Sequence, residues 1–180
     1  MKKLNIQTGV LTIIILLAAF TRIMPHPPNF SPIAAIGLFG AAHFTKKWQS
    51  FLVPLLAIWL SDLVINNFIY SFQESGFIWF YGGFYWQYLS YILIIFSGHI
   101  IFKNKISIPT SLGGIFASSG IFFIVSNFGV WTTGMYGYTV DGLFSCFVLA
   151  VPFFVYNLIS TSAYSLVIEG LYKFYRIKFL

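Results

Sequence analysis

Charge is the scarcest property of this sequence. Only 8% of its 180 residues are Asp, Glu, Lys or Arg, and only four of those are acidic. A soluble domain of this size could not cover its surface with so few polar groups. The single cysteine, Cys146, excludes an internal disulfide and a multi-cysteine metal site. It leaves two readings open, a small buried apolar residue or a lone thiol ligand. No H-E-x-x-H, G-x-S-x-G, Walker A or paired-carboxylate motif occurs, and nothing in the spacing of Asp62 and Asp141 supports an acid/base pair. No enzyme and no cofactor is expected. Repeats, low-complexity linkers and soluble insertions are also missing, so residues 1–180 read as one transmembrane domain.

What is abundant is apolar: 58% of residues are hydrophobic, 21% are aromatic, and the mean hydropathy is +0.85. The expected fold class is all-α, an integral membrane bundle. About 20 apolar residues cross a bilayer core as a helix, and turn and charge signals divide the chain into six candidate spans. They run from Gly9 to Met24, Ser31 to Phe44, Gln49 to Tyr70, Gly83 to Phe102, Ile108 to Trp131 and Gly142 to Tyr172, the last long enough to tilt or to bend near Pro152. The basic start at Lys2 and Lys3 raises a cleaved signal peptide as an alternative for the first run. That run continues to Met24 without an A-x-A site, which favours a retained helix.

A formal charge of +6 could suggest nucleic acid, but the basic residues fall in short pairs between apolar runs, so no nucleic-acid partner is expected. They act as topology signals. With the N-terminus inside, Lys2, Lys3, Lys46, Lys47, Lys103, Lys105, Lys173, Arg176 and Lys178 are all cytoplasmic, nine of the ten basic residues. Both termini are then expected on the cytoplasmic side of the cell inner membrane. His26, His43 and His99 fall at opposite sides of it and cannot share a metal. Small residues at Gly37, Gly40 and Ala41, and at Gly113, Gly114, Ala117 and Ser118, predict close helix packing within the bundle. His43 reads as an interfacial residue, and Glu169 is expected to pair with Lys173 one turn on.

The tenth basic residue, Arg22, opens the stretch RIMPHPPNFSP, four prolines with Arg22, His26 and Asn29 in eleven residues. On this topology it lies outside, together with Asp62, Asn66 and Asn67, Glu74, the aromatic run Trp79 to Gln87, and Asn127 to Asp141. Most of these aromatics suit an anchoring belt. Asp62 does not: a carboxylate two-thirds of the way along a span must be paired or face water. Two readings stand together, an Arg22–Asp62 pair that locks helices and an outward-facing site. Asn66, at i+4, shares the Asp62 face, and Asn127 joins the polar interior. The second span has 14 residues, about 21 Å of helix, so its outer end should lie below the membrane surface. Ser31 is the expected N-cap and Pro32 the first helical residue, with the positive end of the helix directed at a cavity. A conducting channel is disfavoured, because inner stretches such as Ile14 to Ala19 and Leu149 to Val155 are apolar.

The stretch RIMPHPPNFSPIAAIGLFGAAHF, with Ser61-Asp62 and SNFGVW from Ser126 to Trp131, resembles a group of uncharacterised bacterial multi-pass membrane proteins. That group in turn resembles the substrate-binding S-components of energy-coupling factor (ECF) transporters, cobalamin-type ones especially. The resemblance implies six helices, an extracellular-facing pocket capped by loops, a small micronutrient ligand such as a corrinoid, and coupling and ATPase subunits as partners. It implies Arg22, His26, Asn29, Asp62, Asn127 and Trp131 as substrate-binding residues. The A-x-x-x-A docking motif of that family has no counterpart in the first span, where Ala18 and Ala19 are adjacent. The alternative function is a structural or accessory subunit of a larger membrane complex; a secondary transporter would need an inverted repeat that is not seen.

Overall fold

A computed structural model describes residues 2–69 and 76–179. Those residues form helices and connecting loops, with no strand among them. The six α-helices are α1 (Lys2–Phe20), α2 (Ile33–His43), α3 (Lys47–Val64), α4 (Phe84–Ile101), α5 (Ile108–Trp131) and α6 (Val140–Phe179). A 3₁₀ turn, Thr21–Ile23, extends α1, and one π turn, Ile65–Ile69, extends α3. Five helical segments are long and apolar enough to cross a membrane: Ile6–Ile23, Lys47–Ile69, Phe84–Ile101, Ile108–Trp131 and Val140–Lys178. The chain is a multi-pass membrane protein. Glu74 and the end of the expected third span at Tyr70 lie outside the described residues.

The remaining helix, α2, has 11 residues, about 17 Å, and is buried from Ile33 to Ala41. It is three residues shorter than the expected span, two at the start and one at the end. Pro32, not Ser31, is the N-cap, and the Ser31 hydroxyl caps nothing. Pro32 already has right-handed helical angles, φ −73° and ψ −5°, and its carbonyl accepts the first helical bond, from the Ile36 amide. Ser31 is used differently: its carbonyl accepts a bond from the Ser160 hydroxyl, which ties the head of α2 to α6.

Glycine decides how near the other helices come to α2. A Cβ on Gly37 would lie 3.1 Å from the Ile94 side chain, and one on Gly40 would lie 2.9 Å from the Pro54 ring. Gly98 of α4 completes the set, since a Cβ there would meet that of Ala41 at 2.7 Å. The small residues of α2 therefore face neighbours inside the bundle. Of the fifth-span pair, Gly114 packs on Phe102 and Leu38, whereas Gly113 faces open space.

Helix α6 has 40 residues, about 60 Å and twice the hydrocarbon core of a bilayer. It starts two residues before the expected span, passes Pro152 without a break and ends seven residues later, at Phe179. Its far part meets α1 and α2: Gln7 donates to the Tyr172 hydroxyl, and Ile168 and Tyr172 join Leu11, Ile15 and Phe39 in the main core. His43 Nε2 lies 2.6 Å from Glu169 Oε1. That contact corrects one expectation. Glu169 pairs across helices with His43 instead of along its own helix with Lys173, and His43 packs between Phe39 and Tyr172.

These contacts fix the up-and-down arrangement. One end of the bundle joins His43 to Glu169 and Ser50 to His99, beside the lysine-bearing loops. The other joins Arg22 to Asp62, Asn67 to Ile78, and Cys146 to Asn127.

Candidate functional site

Two polar constructions occupy the end of the bundle away from the lysine pairs. The first is the Arg22 network. Arg22 Nη1 lies 2.7 Å from Asp62 Oδ1 and donates to the Ser61 hydroxyl at 2.7 Å, while the Tyr88 hydroxyl donates to Asp62 Oδ2 at 2.7 Å. Asp62 is only 5% exposed. Each oxygen of the carboxylate is thus engaged, one from α1's extension and one from α4, which is how a charge survives in an apolar helix. Burial and the nearby Asp62 charge push the Tyr81 phenol up, so the loop tyrosine beside the network stays protonated.

The flanking asparagines also bond locally. Asn66 Nδ2 donates to the Asp62 carbonyl, four residues back. Asn67 does more: its amide donates to the Ile78 carbonyl at 2.9 Å and accepts from the Ile78 amide at 2.7 Å, a two-bond clamp that fixes the loop leading to α4. The sequence around Asn67 carries no sign of this role. The signal could only come from a partner 11 residues away, which composition does not carry.

The second construction is a cavity of about 530 Å³ between the start of α4, the end of α5 and the start of α6. A small neighbouring lobe of about 10 Å³ shares Asn29, Phe122, Ser126, Asn127 and Phe153 with it and reaches Asn157. The local sequence explains each wall. Gly83 takes φ +77°, a left-handed turn that starts α4 and sets Trp86 against α5. Gly129 receives that side chain: a Cβ there would lie 2.5 Å from Trp86 Cγ, so only glycine lets Trp86 come this close to the helix. Ser126 and Asn127 return bonds to the Phe122 and Phe123 carbonyls within α5, which lets two polar residues sit in an apolar helix. The Cys146 thiol donates to the Asn127 carbonyl at 3.4 Å and closes the α5–α6 seam. Asn29 takes φ 60°, a conformation asparagine tolerates, in the turn closed by the Phe30 amide on the Pro27 carbonyl.

The expected site residues therefore separate. Asn29 and Asn127 line the cavity. Arg22, Asp62 and Asn66 belong to the neighbouring network, and His26 is exposed, with its ring nitrogens near the Pro27 and Arg22 carbonyls. Trp131 packs on Phe128 and Tyr138 behind the wall. The head of α2 does not line the cavity; Asn29, just before it, does. Missed from sequence were Trp86, Gly129 and Asn157. Trp86 looked like one more belt aromatic, and Asn157 stood alone in an apolar run.

A smaller cavity of about 220 Å³ lies at the opposite end, between Leu38, Phe102, Ile108 and Leu166. None of the buried polar atoms without a partner lines it, so nothing there calls for a ligand. The larger cavity differs: of six buried side-chain polar atoms without a hydrogen-bond partner among the described residues, two, Trp86 Nε1 and Asn157 Oδ1, belong to residues that line it or its lobe. Buried polar atoms in a native fold are nearly always satisfied. Among the described residues no cluster of three or more His, Cys, Asp or Glu could hold a metal.

A family model described as a family of unknown function (DUF6580) matches residues 2–180. The chain belongs to that family. No curated protein and no solved structure matches it. In this DUF6580 member, evidence for function rests on the cavity and the network beside it.

Proposed function

We propose that this DUF6580 protein is the membrane-embedded substrate-binding subunit of an uptake system, similar in role to an S-component. The observation that carries the proposal is the cavity of about 530 Å³ at the end of the bundle away from the lysine pairs. Pockets of this size hold small organic molecules. A micronutrient smaller than a corrinoid fits it best; a corrinoid would protrude. The positive-inside rule puts the lysine end in the cytoplasm, both termini with it, and opens the cavity outward from the cell inner membrane. In this arrangement α2 is the sixth and shortest span.

A Walker A motif is missing from the sequence. A one-sided site of this kind works by lending its ligand to a partner that reorients it, so coupling and ATPase subunits are the proposed partners. Affinity purification from native membranes in mild detergent tests this. Nucleotide-binding subunits at fixed stoichiometry are expected in the eluate. A large envelope complex without them would instead favour the accessory role.

A further inference from the structure

Three properties of the cavity bear on the chemistry of what it takes. No Asp, Glu, Lys, Arg or His lines it or its lobe. The nearest buried charges, Arg22 and Asp62, are engaged with each other, with Ser61 and with Tyr88. An ion placed there would find no counter-charge on the walls, which is unfavourable. The lining therefore favours an uncharged occupant.

Five aromatic residues line it: Tyr85 and Trp86 from α4, Phe122 from α5, Tyr136 from the α5–α6 loop and Phe153 from α6. Trp86 packs closely on Gly129 and edge-on to Phe128, at 5.4 Å between centroids, which restrains the ring. An aromatic lining favours a flat occupant that stacks.

The unpartnered groups supply the polar reading. The Trp86 indole N–H can only donate. The Asn157 side chain, in a residue 5% exposed, ends in an amide whose oxygen has no partner. Its lobe of about 10 Å³ has room for one water or one protruding ligand group. Burying both groups is unfavourable until something bonds to them.

We propose that the cavity binds an uncharged, planar heteroaromatic molecule of one to three rings that carries a carbonyl acceptor for Trp86 and an N–H donor for Asn157. The bond to Asn157 is direct or passes through a single water. This rests on the reading of the cavity as a ligand site and adds the ligand's class.

The test uses the full-length protein in detergent and five probes: uracil, hypoxanthine and lumichrome as uncharged planar lactams, orotate as uracil with a carboxylate, and glucose as an uncharged non-planar molecule. Equilibrium dialysis and thermal shift are read together. At least one lactam is expected to bind and stabilise, while orotate and glucose do not. Asn157→Leu and Trp86→Phe are each expected to weaken that lactam at least tenfold. Asn157→Leu should do so while unfolding no lower than wild type, because it removes an unpaired acceptor. Should Asn157→Leu not fold, Trp86→Phe carries the comparison. Absence of lactam binding overturns the proposal, as does full affinity in folded Trp86→Phe. If orotate or glucose binds where the lactams fail, the cavity survives as a ligand site and only the class is wrong. If none of the five binds, the class is again wrong, and the site itself is judged separately by Ala150→Phe against a whole metabolite extract.

Discussion

Asp62→Ala is expected to destabilise the folded protein by about 3–5 kcal/mol, because the Arg22 guanidinium stays buried and charged after its anion is gone. The Tyr88 hydroxyl loses its acceptor in the same step. Thermal unfolding in a fixed detergent measures this. Arg22→Met combined with Asp62→Leu is expected to recover most of the loss, since replacing both partners with apolar groups removes the desolvation cost along with the attraction. The two results distinguish a helix lock from a binding residue. Neither Arg22 nor Asp62 lines the cavity. Ligand affinity of whatever Asp62→Ala remains folded should therefore stay near wild type. A large loss of affinity with little loss of stability would put the pair in the site after all.

Gly129→Ala is expected to have the largest effect on binding from a single carbon. The new Cβ would meet Trp86 at Cγ, Cδ1 and Cβ, between 2.5 and 2.7 Å. Contacts that short force the indole to move. Overpacking of this kind costs about 1–3 kcal/mol in stability. The displaced ring belongs to a residue that lines the cavity and carries a buried indole N–H without a partner. A fall in affinity of at least tenfold is expected, about 1.4 kcal/mol. Titration of the ligand into both proteins checks it, with Gly113→Ala as control, because a Cβ at Gly113 meets nothing within 4 Å. Equal affinities in Gly129→Ala and wild type would separate the Trp86 wall from function.

How much of this was legible in the sequence depends on the range of the interaction. The all-helical make-up, the shortness of α2 and the segregation of lysines from polar aromatics are local or compositional, and they could be read directly. The Arg22–Asp62 pair was legible too, because a lone carboxylate in an apolar helix needs a partner and only one cation was in reach. The cavity was not. Its walls depend on Gly129 meeting Trp86 across two helices and on Asn157 facing Asn29, contacts that neither hydropathy nor periodicity encodes. The Ser31 cap was misread for a related reason. A serine before a proline matches the N-cap pattern, but Pro32 itself took that position. Glu169 and Lys173 have the spacing of a helical pair, yet packing of α6 against α2 offered the carboxylate His43 at 2.6 Å.

The site and its occupant are tested together by loading the cavity with protein instead of ligand. Ala150 lines the cavity and is itself buried, so Ala150→Phe fills part of it without touching the Arg22 network. Wild type and Ala150→Phe, both shown to be folded, are immobilised and incubated with one metabolite extract, and the eluates are compared by mass spectrometry. A small uncharged species enriched on wild type and lost on Ala150→Phe is expected. Identical eluates from the two proteins would show that this cavity holds no ligand.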